Sequence, residues 1–118
     1  MSDTTSAPST AATFDLTGWT FGDANAVEWQ VIGDGVAMKM LATADGTAIA
    51  LFRFEPGYRG TPHHHEQAEF SYVLEGTLLS NGVVMPAGQA YAAPAGTDHE
   101  EFGTDEGATL VSVFKLPS

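Results

Sequence analysis

Cysteine is absent from the 118 residues, which removes disulfides, thiolate-bound zinc, iron–sulfur clusters and thiol nucleophiles together. Any metal held by this chain must sit on histidine, carboxylate or water. Positive charge is scarce. Lys39, Arg53, Arg59 and Lys115 face 15 acidic residues, and the formal net charge of -11 repels phosphate backbones and anionic lipid, so neither nucleic acid nor membrane is an expected partner. No stretch approaches the ~18 uninterrupted apolar residues of a membrane helix. The N-terminus also lacks the basic and apolar regions of a secretory signal, so a cytoplasmic protein is expected. Helical spacing is missing too, since no apolar run keeps it beyond a turn or two.

What is present suits one core. Hydrophobic residues make up 43% of the chain, with seven Phe, three Tyr and two Trp, enough apolar area to fold without metal or disulfide. Residues 1–13 are rich in Ser, Thr, Ala and Pro and read as a disordered leader, leaving 14–118 as a single domain. Short apolar runs predict strands at Val27–Ile32, Val36–Ala42, Thr47–Phe54, Glu69–Leu74, Thr77–Leu79, Gly82–Met85, Gln89–Ala92 and Ala108–Lys115. Turn residues such as Asp45-Gly46, Glu75-Gly76 and Asn81-Gly82 separate them, and Asn-Gly and Asp-Gly supply the positive φ that tight hairpins demand. Many short strands at even spacing predict an all-β antiparallel sandwich or barrel.

Two clusters carry metal-ligand chemistry. His63, His65 and Glu69 have even spacing, which in an extended strand directs all three to one face. His99 follows the turn Pro94-Ala95-Gly96-Thr97-Asp98. Imidazoles plus one carboxylate suit a divalent Mn, Fe, Co, Ni, Cu or Zn ion and leave up to two octahedral positions open for substrate or O2. His64 has the opposite parity and is expected to point outward. Glu100 and Glu101 are candidates to orient an imidazole, with an exposed acidic turn as the plainer expectation. Tyr72 and Tyr91 are candidate catalytic phenols, against a plain packing role. Arg53 and Arg59 are the cations near the motif able to clamp a substrate carboxylate, although isolated arginines more often serve solubility.

The spacing Gly57-x5-His63-x-His65-x3-Glu69-x6-Gly76, followed by Gly88-x5-Pro94-x-Gly96-x2-His99-x3-Gly103, resembles the two motifs of the cupin superfamily. The departure is Gly103, where that family often has Asn. The stretch from Phe54 to Gly76 is also similar to small bacterial cupins related to zinc-binding anti-sigma domains and to dioxygenases of diketones. The resemblance implies an antiparallel double-stranded β-helix, the jelly-roll barrel, with one metal on His63, His65, Glu69 and His99 and commonly a homodimer. Fold alone does not specify the reaction. The expected activity is that of a metal-dependent oxygenase acting on a small carbonyl or phenolic compound, with Fe2+ favoured over Mn2+, Ni2+, Cu2+ or Zn2+. The alternatives are an isomerase or lyase on a keto or enol substrate, and a non-catalytic metal- or small-molecule-binding module.

Overall fold

Alternation of apolar and polar positions sets the architecture. In Thr47–Phe54, residues Ala48, Ala50 and Phe54 are buried while Ile49 and Arg53 are exposed, and Ala108–Lys115 buries Ala108, Leu110 and Ser112 in the same rhythm. A two-residue period of this kind is satisfied by a sheet with one face covered. The computed structural model describes residues 13–117, so the expected leader, apart from Thr13, lies outside the described residues.

Ten strands and no helix occur among the described residues: β1 Gln30–Gly33, β2 Val36–Ala44, β3 Thr47–Phe54, β4 His63–His64, β5 Glu69–Ser80, β6 Val83–Pro86, β7 Ala90–Ala93, β8 Asp98–His99, β9 Phe102–Gly103 and β10 Ala108–Lys115. All pairings are antiparallel. The main sheet runs β1-β2-β3-β10-β5-β6, with β7 and β9 also pairing β5, and β4 pairs β8 separately. The sheet curls into a jelly-roll barrel, as the sequence predicts. Phe54, Val73, Leu78, Met85 and Leu110 form its buried core. No helix among the described residues is long and apolar enough to cross a membrane.

One expected turn is not a turn. Glu75-Gly76 was placed between two strands by its composition, yet β5 continues through it. Gly76 has φ 75°, and a Cβ there would meet the Gly107 carbonyl oxygen at 1.9 Å, so the glycine permits close backbone approach rather than reversal. Val73 pairs with Leu110 and Glu75 with Thr109, which leaves Leu74 as an extra residue. This bulge bends the strand, and its second half pairs with β6 and β9 instead of β10. Ser80 is thereby carried to the histidines. The first strand also starts late, at Gln30 rather than Val27, and the ring of Trp29 instead lies against Arg53 and Lys39, at 4.2 and 4.9 Å.

Candidate metal centre

A two-strand ladder and a bend position the donors. His63 pairs with His99 and His64 with Asp98 across β4 and β8. Directly paired residues share a face, so His63 and His99 project to one side and His64 and Asp98 to the other. His65 extends the clamp: its N–H donates to the Thr97 carbonyl at 2.8 Å, and the Gly96 N–H donates to the His65 carbonyl at 2.7 Å. Even spacing directs His63, His65 and Glu69 to one face only while the chain stays extended. Here β4 ends at His64, the chain bends at Glu66-Gln67, and Glu69 opens β5. Convergence comes from the bend, not from parity alone.

His63, His65, Glu69 and His99 each offer a donor atom, all within 4.8 Å of one another. His65 and His99 are buried, 5% and 3% exposed. Ligand bonds to a first-row divalent ion are about 2.0–2.2 Å, so donors this close can surround one ion after small side-chain shifts. Hydrogen bonds aim the nitrogens. The Thr61 carbonyl, which can only accept, takes the Nδ1–H of His63 at 3.3 Å, leaving Nε2 free. The Thr97 hydroxyl donates to the Pro94 carbonyl at 2.6 Å and stands 3.1 Å from His65 Nδ1, so it accepts there and leaves Nε2 as the ring's proton-free nitrogen, turned into the cluster. His99 bonds Ser80 Oγ through Nε2 at 2.7 Å and lies 3.0 Å from His65 Nε2 through Nδ1.

The carboxylate is aimed as well. Tyr91 donates its O–H to Glu69 Oε2 at 2.7 Å, and Oε1 stands 3.3 Å from His65 Nε2. Burial, and then the Glu69 charge, push the Tyr91 phenol far above its ordinary value, so it remains a hydrogen-bond donor and is a poor base. Burial lowers the His99 pKa, reinforced by its neighbours His65 and His63. Imidazole nitrogens and a carboxylate oxygen thus face one another, with a single hydrogen bond between His99 and His65 among them. Such a donor set is costly when buried without a cation and fits a divalent transition metal.

The cluster borders a cavity of about 210 Å3, where Phe52, Phe54, Tyr58, Phe102 and Leu110 are the apolar walls and His63, Glu69 and Ser112 the polar ones. A wider cleft of about 690 Å3 between 63–69 and 114–117 adjoins it, sharing Phe52, His63, Glu69 and Ser112. The site therefore joins a small, largely apolar pocket to a wider cleft.

The remaining expected residues are placed as follows. Tyr72 lies on the outer face of β5, 44% exposed, because it alternates with buried Ser71 and Val73; it is not brought to the cluster. His64 points outward, as its parity predicts, and its Nδ1 meets Asp98 Oδ1 at 2.7 Å. That hydrogen bond raises its pKa. Neither acidic neighbour of His99 is bonded to an imidazole: Glu100 is exposed, and Glu101 accepts the Gly82 N–H at 2.6 Å. Arg59 donates to the Tyr58 and Thr104 carbonyls and pairs with Asp105, so its donors are committed within the fold. Gly103, the departure from the second motif, bridges Arg59, and a Cβ there would sit 2.4 Å from the Tyr58 carbonyl oxygen. Close packing requires glycine at that point.

Three functional neighbours escape sequence reasoning: Ser80, Thr97 and Asn81. Asn81 accepts the N–H groups of Glu100 and Glu101 and donates to the Asp98 carbonyl, fixing the segment that carries His99. Its Asn-Gly signature marks the turn but not this second task. Ser80 becomes an inward residue only once β5 is known to continue through Gly76. Thr97 had a usable signal, a hydroxyl two residues before His99 in the motif turn.

A jelly-roll barrel with three histidines and a glutamate at its mouth, in this spacing, defines a cupin. Residues 18–117 match the ChrR cupin-like domain family, and the chain belongs to it. Pectin degradation protein KdgF of Dickeya dadantii (strain 3937) is 28% identical over 91 residues, covering 73% of this chain and 83% of that protein. The solved structure of KdgF from Halomonas sp. superposes with TM-score 0.74 at 24% identity, covering 83% of this chain and 94% of the other. An RmlC-like cupin from Shewanella frigidimarina gives TM-score 0.72 at 28% identity, covering 82% and 90%.

Proposed function

We propose that this chain is a divalent-metal-dependent enzyme that binds a small carbonyl, enol or phenolic compound as a chelate, with O2 as co-substrate. The observation that carries the reading is the convergence of His63, His65, Glu69 and His99 within 4.8 Å at the edge of an aromatic cavity of about 210 Å3. Fe2+ is the proposed ion, and bound there it would supply Lewis acidity and redox capacity. The protein's own groups do the rest. Thr61, Thr97 and Ser80 aim the imidazoles, and Tyr91 holds the carboxylate in one rotamer. Phe52, Phe54 and Phe102 keep water from the reacting carbon. No free cation lines that cavity, which favours a substrate without an extra carboxylate deep in the barrel. The proposed working form is a homodimer.

A second reading is isomerisation or lysis of a keto or enol substrate, which needs no O2. It is favoured by the likeness to a pectin-degradation protein at 28% identity, which brings sugar-derived carbonyl compounds into view. Against it, Tyr91 is held protonated and Tyr72 faces outward, so neither phenol supplies a ready base. The two readings separate in one experiment. Metal-loaded protein is given diketones, phenols and sugar-derived keto or enol compounds, with and without air. Substrate-dependent O2 uptake supports the oxygenase; equal turnover under argon replaces it with the isomerase or lyase.

A further inference from the structure

Two buried hydroxyls belong neither to the donor cluster nor to a turn. Among the buried polar side chains, His65, His99 and Ser80 form part of the metal centre, and Thr104 donates to the Thr77 carbonyl and accepts the Gly107 N–H. Ser71 and Ser112 remain, 4% and 3% exposed, with their oxygens 2.6 Å apart. The strand register explains how they meet. Ser112 of β10 pairs with Ala50 of β3 on one side and Ser71 of β5 on the other, and Ser71 pairs with Tyr91 of β7. One inward row thus carries three hydroxyls in succession, and the last of them donates to Glu69 Oε2. Ser112, the first, opens on the cavity of about 210 Å3 beside His63 and Glu69. Tyr58 also borders that cavity, but its oxygen lies toward Gly60, 3.3 Å from where a Cβ would stand. Ser112 is therefore the hydroxyl set beside the donor cluster.

Counting protons fixes the polarity of the row. Tyr91 has one hydroxyl proton and gives it to Glu69. The Ser71 hydroxyl lowers the Tyr91 pKa against the larger effect of burial, which is the direction in which a donor acts, so the Ser71 proton is turned to Tyr91. Ser112 must then donate across the 2.6 Å contact, and its own single proton is committed. Only its lone pairs face the cavity. We propose that Ser112 is the specificity-determining acceptor of this cavity, selecting a chelating ligand with a hydroxyl donor beside its chelating oxygens over one with an ether or carbonyl oxygen there. The proposal rests on the chelate reading above and narrows its substrate class. A hydroxyl against Ser112 extends the row by one more donor, in a wall where each bond polarises the next. An ether or carbonyl oxygen would set lone pairs against lone pairs and leave both buried without a partner.

Equilibrium binding to the Zn2+-loaded full chain under argon tests this without turnover. Three probes share one chelating pair of phenolic oxygens: pyrogallol carries a third hydroxyl beside it, 3-methoxycatechol a methoxy group, and catechol a hydrogen. By calorimetry, pyrogallol is expected to bind wild type about tenfold more tightly than 3-methoxycatechol, the worth of a buried hydrogen bond against an unpaired acceptor. Ser112→Ala should abolish that preference, whereas a preference due to size alone would survive it. Ser71→Ala removes the acceptor of the Ser112 proton, which then turns into the cavity, so the preference should vanish or pass to the methoxy compound. Equal binding of pyrogallol and 3-methoxycatechol by wild type, or a Ser112→Ala or Ser71→Ala variant that keeps the full preference, overturns the proposal and leaves the chelate reading standing. Failure of all three probes to bind, catechol included, overturns the chelate reading and this proposal with it. Circular dichroism and bound zinc per chain confirm that each variant keeps its fold and its donor cluster.

Discussion

Two adjoining parts of the barrel interior are buried to the same depth with opposite materials. Phe54, Val73, Leu78, Met85 and Leu110 pack on one another as an apolar cluster, whereas His65 and His99, equally buried, are satisfied by Thr97, Ser80 and each other. The first region gains from water exclusion alone. The second keeps its nitrogens pointed at one another at a cost that a cation would repay. Stability and chemistry are thus assigned to neighbouring but separate sets of residues, and the separation is open to attack from either side.

The largest effect is expected on metal binding. His99→Ala should reduce occupancy at stoichiometric metal to near zero while the far-ultraviolet circular dichroism of the barrel is retained; simultaneous loss of fold would show that the two regions are not separable. The reverse attack is Leu78→Ala at a fully buried position. It should cost about 2–5 kcal/mol in chemical denaturation and leave the metal-to-protein ratio unchanged.

Smaller changes sharpen the boundary. Removing an aiming group, Ser80→Ala or Thr97→Val, should weaken metal affinity by about 10–100-fold in a competition titration with a chelator, with little change in melting temperature. Proton linkage gives the mildest test. The folded pKa of His99 is depressed from 6.5, so below that value the unfolded chain binds more protons than the folded one, and stability of metal-free protein should fall as pH drops from about 6.5 towards the depressed value. His99→Gln should flatten that part of a pH-dependent melting curve. His64 works in the opposite sense: its pKa is raised by the hydrogen bond to Asp98, so any contribution is present at low pH and fades as pH rises through the folded value. Being exposed, it should contribute little.

Strand alternation made most of the barrel legible before the structure. β3 and β10 carry the two-residue period over eight residues each and could be bounded to the residue. The centre was legible through spacing, since the four residues marked by the motifs are the four whose donors converge. Hidden features were those that depend on tertiary approach. Gly76 reads as a turn until Gly107 is known to lie against it, and without the resulting bulge nothing marks Ser80 as inward. The short ladder between β4 and β8 spans two residues on each side, too little for any period to declare itself. Tyr91 and Tyr72 looked alike in sequence. Only the observed register separates the one bonded to Glu69 from the one on the outer face.

The most direct measurement is elemental analysis with equilibrium metal titration of protein purified without a chelating tag, comparing wild type with His65→Ala and His99→Ala. We expect one divalent transition metal per wild-type chain and almost none in either variant. Wild-type protein that binds no such metal, or variants that bind as well as wild type, would contradict the assignment of His63, His65, Glu69 and His99 as a metal centre.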